Sequence, residues 1–293
     1  MGIPDLPPES ACNGKIDVLF AIGEGGVTPF LDALDAAYPD FAASMSAAFA
    51  EHDLHVMVID GNGVWGDDVR CPKSQCPPNG GCPDPSYGDP NDFPCWALHE
   101  EGALTKCDNT LGAGVIFPAG RDASNKPCGV PEGRRFLSGD DLGFAELFAC
   151  VARVGATPGD HMVGWAAGEA LSVNLQEGCN EGFLRDDALL VVVLIDGIEE
   201  SPYNPYAWAQ RVLEAKGGEQ DKVVALAISS DATAVEDPVC EKGDDAFPPH
   251  PAYLWQQHFD HGLFGSICAP DLAPFFEEAA SLAAELCEPG SPR

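Results

Sequence analysis

The sequence predicts an α/β protein, a doubly wound and mostly parallel sheet with helices on both faces and a Cys-rich insertion. Three observations carry this. Short, continuously apolar runs such as Ala188–Ile195 read as strands buried on both faces. These runs alternate with stretches of helical periodicity almost throughout, the pattern of a parallel sheet with crossover helices. One long segment, residues 61–133, breaks the alternation with many Pro, Gly, Asn and Asp, and holds six of the twelve cysteines.

In chain order, Ile16–Ile22 is the first buried strand, and Gly23-Glu24-Gly25-Gly26 turns the chain. Thr28 and Pro29 are the cap and first residue of a helix whose apolar positions run from Phe30 to Leu34 and from Phe41 to Phe49; Pro39 kinks or splits it. His55–Ile59 is the second strand. Within the insertion, Gly114–Phe117 reads as a short strand. Regular structure resumes at Arg134–Leu137, and helices are expected at about 141–153 and 160–174. Ala188–Ile195 is the central strand, ending in Asp196-Gly197. A helix around 204–216 leads to the strand Val223–Ile228. A helix near 251–261, a strand at Phe264–Ile267 and a helix from about 270 to 286 complete one domain, 1–293, with no internal repeat.

The charge balance narrows the partners. Fifteen basic against 47 acidic side chains give a formal charge of −32. So negative a surface repels phosphate backbones and anionic lipid heads, which disfavours nucleic acid and bare membrane. No stretch approaches the roughly 20 apolar residues of a membrane span. The expected partner is a protein or other extracellular ligand, or further copies of the chain in an assembly.

The cysteines are Cys12, Cys71, Cys76, Cys82, Cys95, Cys107, Cys128, Cys150, Cys179, Cys240, Cys268 and Cys287. Their number is even and they form no CxxC. The tightest group, Cys71-x4-Cys76-x5-Cys82, lacks the paired histidines of a zinc module, so disulfides are expected. Disulfides imply export to the cell surface, periplasm or medium. Residues 1–14 lack the basic start and apolar run of a signal peptide, so the expectation is that one has been removed. The insertion is expected to be stapled by disulfides among its own six cysteines.

Conventional catalytic patterns are lacking. The G-x-G-G after the first strand has Thr28 where a dinucleotide fingerprint needs its third glycine, and there is no P-loop lysine. No G-x-S-x-G elbow occurs, and paired cysteines supply no thiol nucleophile. His258 and His261, read as one helical turn apart near His250, would suit zinc or copper. Asp140-Asp141, Asp186-Asp187 and Asp244-Asp245 lack the spaced oxygens of a calcium loop.

Asp17-Val18-Leu19-Phe20-Ala21-Ile22 and the long helix after it resemble the start of a von Willebrand factor type A domain of bacterial exported proteins, which reads D-x-L-F-V-I-D-x-S-x-S. Phe148–Gly155, Asn180–Ala188 and Gly265–Cys268 agree in order and spacing, so the resemblance covers nearly the whole chain outside the insertion. It implies a metal-ion-dependent adhesion site in which Asp, two Ser, Thr and a second Asp hold Mg²⁺. Thr157 matches the threonine and Asp196 the second aspartate. The first motif falls on Gly23, Gly25 and Val27, which have no side-chain oxygen, with Glu24 between. Thr157, Asp196 and Glu24 are thus a degenerate site for Mg²⁺ or Ca²⁺ that is expected to be empty, and no other cofactor is implied. The resemblance also places the chain ends together, suggesting Cys12–Cys287; Cys150–Cys179 and Cys240–Cys268 follow as pairs flanking single segments. The expectation is a non-enzymatic binding, adhesion or structural module. Its alternatives are a metal-dependent hydrolase with a non-standard site and a subunit of an extracellular assembly.

Overall fold

Four apolar runs become the middle of a six-stranded sheet of order β3-β2-β1-β4-β5-β6. The computed structural model describes residues 12–23, 28–61, 105–118, 123–124, 126–155, 161–197, 199–240 and 249–288. The strands are β1 (Lys15–Ile22), β2 (Asp53–Asp60), β3 (Leu137–Ser138), β4 (Leu189–Ile195), β5 (Val223–Ser229) and β6 (His261–Ser266). β1 pairs in parallel with β2 and β4, β4 with β5 and β5 with β6, whereas the two-residue β3 runs antiparallel to β2. The helices are α1 (Thr28–Ala48), α2 (Phe144–Ala152), α3 (Val163–Ala170), α4 (Val173–Gln176), α5 (Pro205–Glu214), α6 (Pro251–Gln256) and α7 (Ala273–Cys287).

Successive strand residues point to opposite faces, and the buried side chains sort accordingly. Ile16, Val18, Phe20 and Ile22 join a cluster with α1, α2 and α7; Leu19 and Ala21 join another with α3, α5 and α6. At the centre of the first cluster the Phe20 ring lies 5.0 Å from Phe148 and 5.3 Å from Phe276, which is itself 5.0 Å from Phe41. Helix α1 runs through Pro39 as one element. Every residue of β4 is buried, as expected for a central parallel strand.

The sequence expectations fail where tertiary contacts override local pattern. Gly114–Phe117 is not a strand: it lies beside β2 with the bond Val115 N to Val58 O (2.7 Å), and a Cβ on Gly114 would come 2.1 Å from the Arg135 carbonyl. The helix expected at 160–174 is interrupted at Leu171-Ser172. Helix α6 stops at Gln256, and β6 begins at His261 rather than Phe264.

The insertion is fastened to the body, contrary to the picture of a self-stapled unit. Cys107 pairs with Cys179 and Cys128 with Cys150, so the expected Cys150–Cys179 bridge does not form. Cys12–Cys287 and Cys240–Cys268 form as expected, and all eight described cysteines are paired. Cys71, Cys76, Cys82 and Cys95 lie outside the described residues. A buried asparagine reinforces the attachment. Asn180 Nδ2 donates to the carbonyls of Gly112 (2.9 Å) and Ala170 (3.0 Å), and its Oδ1 accepts from Gly114 N (2.9 Å). Gly112, at φ +81°, passes so close to α3 that a Cβ would lie 2.7 Å from Ala170 N.

At the amino edge of the sheet a fully buried carboxylate, Asp17, meets Arg185. The Arg185 backbone N–H and Nε donate to its two oxygens at 2.8 and 2.9 Å. The same guanidinium donates to the carbonyls of Ile16 (3.0 Å) and Asp53 (2.8 Å), joining β1 to β2 just before the chain enters β4. Burial raises the Asp17 pKa to about 6, against the opposing pull of Arg185. Removing one partner of a buried pair leaves the other charge uncompensated, which costs about 3–5 kcal/mol. Arg185→Met is therefore expected to lose stability of that order at pH 7 in chemical denaturation. Arg185 pulls the Asp17 pKa down against burial, so without it the folded variant takes up the proton above pH 6, and the deficit should shrink as the pH is lowered towards 6 and level off below it. A loss that is small or independent of pH would contradict this role for the pair.

Candidate functional site

The carboxyl ends of β1 and β4 are where the strand order reverses direction, the place at which open α/β sheets bind ligands. Here backbone bonds lock the edge together. Gly23 N donates to Ile195 O (2.8 Å), Gly61 N to Ile22 O (3.2 Å) and Asp196 N to Ile228 O (3.0 Å). Met162 N then donates to Gly61 O (2.9 Å), which brings the start of α3 across the strand ends. A Cβ on Gly23 would lie 2.5 Å from Val163 Cγ2 and one on Gly61 2.7 Å from it, so both glycines are needed for this approach.

Asp196 is fully buried at the end of β4. A Cβ on Gly23 would also stand 2.5 Å from its Oδ1. The two positions that the resemblance assigns to the first and last aspartates are therefore adjacent in space, but the room for the first carboxylate is taken by the second. Mg²⁺ requires several anionic or neutral oxygens before it gives up inner water, and Gly23 offers none. Of the two described positions, Asp196 alone carries a carboxylate, which by itself does not fit the adhesion metal. Thr157 and Glu24, with Gly25 and Val27, lie outside the described residues.

The loop Asp196–Ser201 is one of three strand-end loops, with Gly23–Thr28 and Gly155–Asp160, that the sequence marks for a site, but the sequence does not assign the roles of its polar side chains. Glu199 accepts from Gly164 N (2.8 Å) and Ser201 N (2.8 Å), and Ser201 Oγ accepts from Trp165 N (2.9 Å). Glu200 exchanges two bonds with His161: its Oε2 accepts from His161 N (3.1 Å) and its N donates to His161 O (2.6 Å). The loop thus satisfies the first N–H groups of α3, which would otherwise attract an external anion. Burial holds the Glu199 carboxyl above its ordinary pKa. The available signal in the sequence was the acidic pair Glu199-Glu200, one residue after a strand-terminal Asp-Gly.

The loop ends in an aromatic cluster. Tyr203 stands at φ +69°, the only non-glycine in the left-handed region among the described residues, and is 74% exposed. Its ring packs 4.9 Å from that of Trp165, and the Arg211 guanidinium lies 3.8 Å from the centroid of the same Trp165 ring and pairs with Glu169. Tyr206, also exposed, has the His258 ring 5.3 Å away.

His250, His258 and His261 do not make the metal site considered from their spacing. His258 follows α6, His261 opens β6, and His250 caps the start of α6 with its Nδ1 accepting from Ala252 N (3.2 Å). Among the described residues, the ligand atoms that come within 4.8 Å of one another belong to Cys12, His52 and Cys287, two of which form a disulfide. Comparison with protein-family models, curated proteins and solved structures finds no match. No helix among the described residues is long and apolar enough to cross a membrane.

Burial lowers the His250 pKa to about 4, with the Gly197 backbone pulling in the opposite direction. A proton on Nδ1 would also break the cap. The unfolded histidine takes up its proton near pH 6.5 and the folded one only near 4, so the His250 contribution is complete above 6.5 and lost as the pH falls to about 4. The integrated effect is at most about 3 kcal/mol. Denaturation of the wild type and His250→Asn at pH 7.5 and 5 should show the wild-type advantage shrinking at the lower pH. An advantage that grows there would contradict the assignment.

Proposed function

We propose that the chain is a non-enzymatic, partner-binding module of an exported protein, built on a doubly wound sheet of von Willebrand factor type A-like design that has lost its adhesion metal. The binding surface is the carboxyl edge of β1 and β4, extended by the loop that follows Asp196. The observation that carries this reading is the contact of Gly23 with Asp196. Two positions far apart in sequence, which the resemblance pairs as metal ligands, lie against each other at the switch point of the sheet. The long α1 directly after β1 and the chain ends joined by Cys12–Cys287 support the same resemblance. Two core clusters, each with its own helices, support winding on both faces. The disulfides support export, since such bonds persist in oxidising compartments.

The loss of the metal follows from Gly23. With Asp196 as the single carboxylate from the two matched aspartate positions, and its neighbour's space filled, the edge presents fixed backbone and side-chain groups instead of an open coordination position. Recognition then depends on shape and charge, and divalent ions are not required. Calorimetric titration of chelator-treated protein with Mg²⁺ and Mn²⁺ should give no heat of binding at micromolar concentrations. Micromolar binding that disappears in Asp196→Ala would overturn the loss of the metal and restore carboxylate-dependent adhesion.

A further inference from the structure

Tyr203 combines three properties that do not occur together without a compensating reason. It is a bulky residue at φ +69°, it is 74% exposed, and it is anchored in a loop with little freedom. The anchoring is visible on both sides. Ser201 Oγ accepts from Trp165 N, and the Pro202 carbonyl accepts from Trp208 Nε1 at 2.7 Å. Asn204 then caps α5 by accepting from Ala207 N (3.0 Å). A left-handed conformation at a residue with a Cβ costs free energy that glycine would avoid, so the fold holds the Tyr203 ring in place at its own expense. Backbone strain of this kind clusters at ligand contacts.

The ring packs, tilted by 34°, against Trp165. Trp165 carries Arg211 at 3.8 Å and Tyr203 at 4.9 Å, so the fold already places a guanidinium on this aromatic group. The exposed Tyr206 extends the surface along α5 towards His258. Glu199 and Glu200, in the loop just before Tyr203, accept from backbone N–H groups and carry no cationic side chain in those bonds, while Glu169 pairs with Arg211. The chain as a whole carries −32. Two copies so charged repel each other, and a cationic partner is drawn in.

We infer that Tyr203, with Tyr206 beside it, is the contact that takes an arginine or lysine side chain of a basic polypeptide, the cation lying over the face of the exposed tyrosine ring. The inference rests on the binding-module reading above and names the partner class for that edge. Exposed aromatic rings attract such cations modestly and, with tyrosine at an interface centre, become anchors.

The probe is a fluorescently labelled oligo-arginine peptide, followed by anisotropy at physiological salt, with an uncharged Gly/Ser peptide as blank. Tyr203→Ala should weaken binding about two- to fivefold, Tyr203→Phe should retain it, and the distant Glu177→Gln should change it less than Tyr203→Ala does. In the same preparations Tyr203→Gly should melt about 2–4 °C above Tyr203→Ala, because both lose the ring and only glycine relieves the backbone. Equal affinities for wild type and Tyr203→Ala overturn the inference. If Asp196→Asn weakens binding in that case, the edge reading survives alone; if neither variant matters, both fall. Concentration-dependent dimerisation abolished by Tyr203→Ala would also overturn it, by showing the surface to be a contact between copies.

Discussion

The Asp17–Arg185 pair governs the arrangement of the central strands. Asp17 is a charge within a strand otherwise suited to a dry interior, and it is tolerable there because one guanidinium and one backbone N–H answer it. Arg185 also reaches the carbonyls of Ile16 and Asp53, so the same side chain sets the amino ends of β1 and β2 in register just as its own backbone leads into β4. Lys216 closes the arrangement by donating to the Arg185 carbonyl at 2.6 Å. A buried ion pair is weak evidence for stability; what this one does is tie the amino ends of β1 and β2 to the segment that enters β4. With the amino ends fixed, the parallel register carries through to the carboxyl ends, where Ile22 and Ile195 stand side by side and deliver Gly23 and Asp196 to one place.

The two edges of the sheet therefore have different work. The amino edge spends its polar groups on internal bonds among Asp17, Arg185, Lys216 and His55, whose Nδ1 lies 3.1 Å from the Phe183 carbonyl. The carboxyl edge is built by close approach: two glycines admit Val163, and the Asp196–Ser201 loop satisfies the start of α3. Among the described residues after this loop, Tyr203 and Tyr206 are turned outward.

Much of this was legible in the residues. β4 and β5 are long apolar runs, and their burial on both sides needs no tertiary information to anticipate. β6 was harder: Gly262 packs so tightly under Gln256 that a Cβ would lie 2.0 Å from its carbonyl, a turn that helical periodicity cannot reveal. The two described insertion cysteines pair outward, Cys107 with the turn before β4 and Cys128 with α2, which spacing does not encode. In the candidate site, Asp196 was named by the resemblance, as the second aspartate at the end of the central strand. Tyr203 was not, because a left-handed tyrosine leaves no mark in sequence, although Pro202 and the Asn204-Pro205 helix start bracket a turn there.

The central claim is that recognition takes place at the carboxyl edge through the loop after β4. Amide hydrogen exchange, with and without the oligo-arginine peptide, measures this directly, since a bound partner slows opening of the backbone it covers. The account predicts added protection concentrated in residues 199–206 and at the start of α3, with the amino edge unchanged. Protection centred instead on residues 52–54 and 138–140, which line a cavity of about 520 Å³ at the opposite edge, would contradict it.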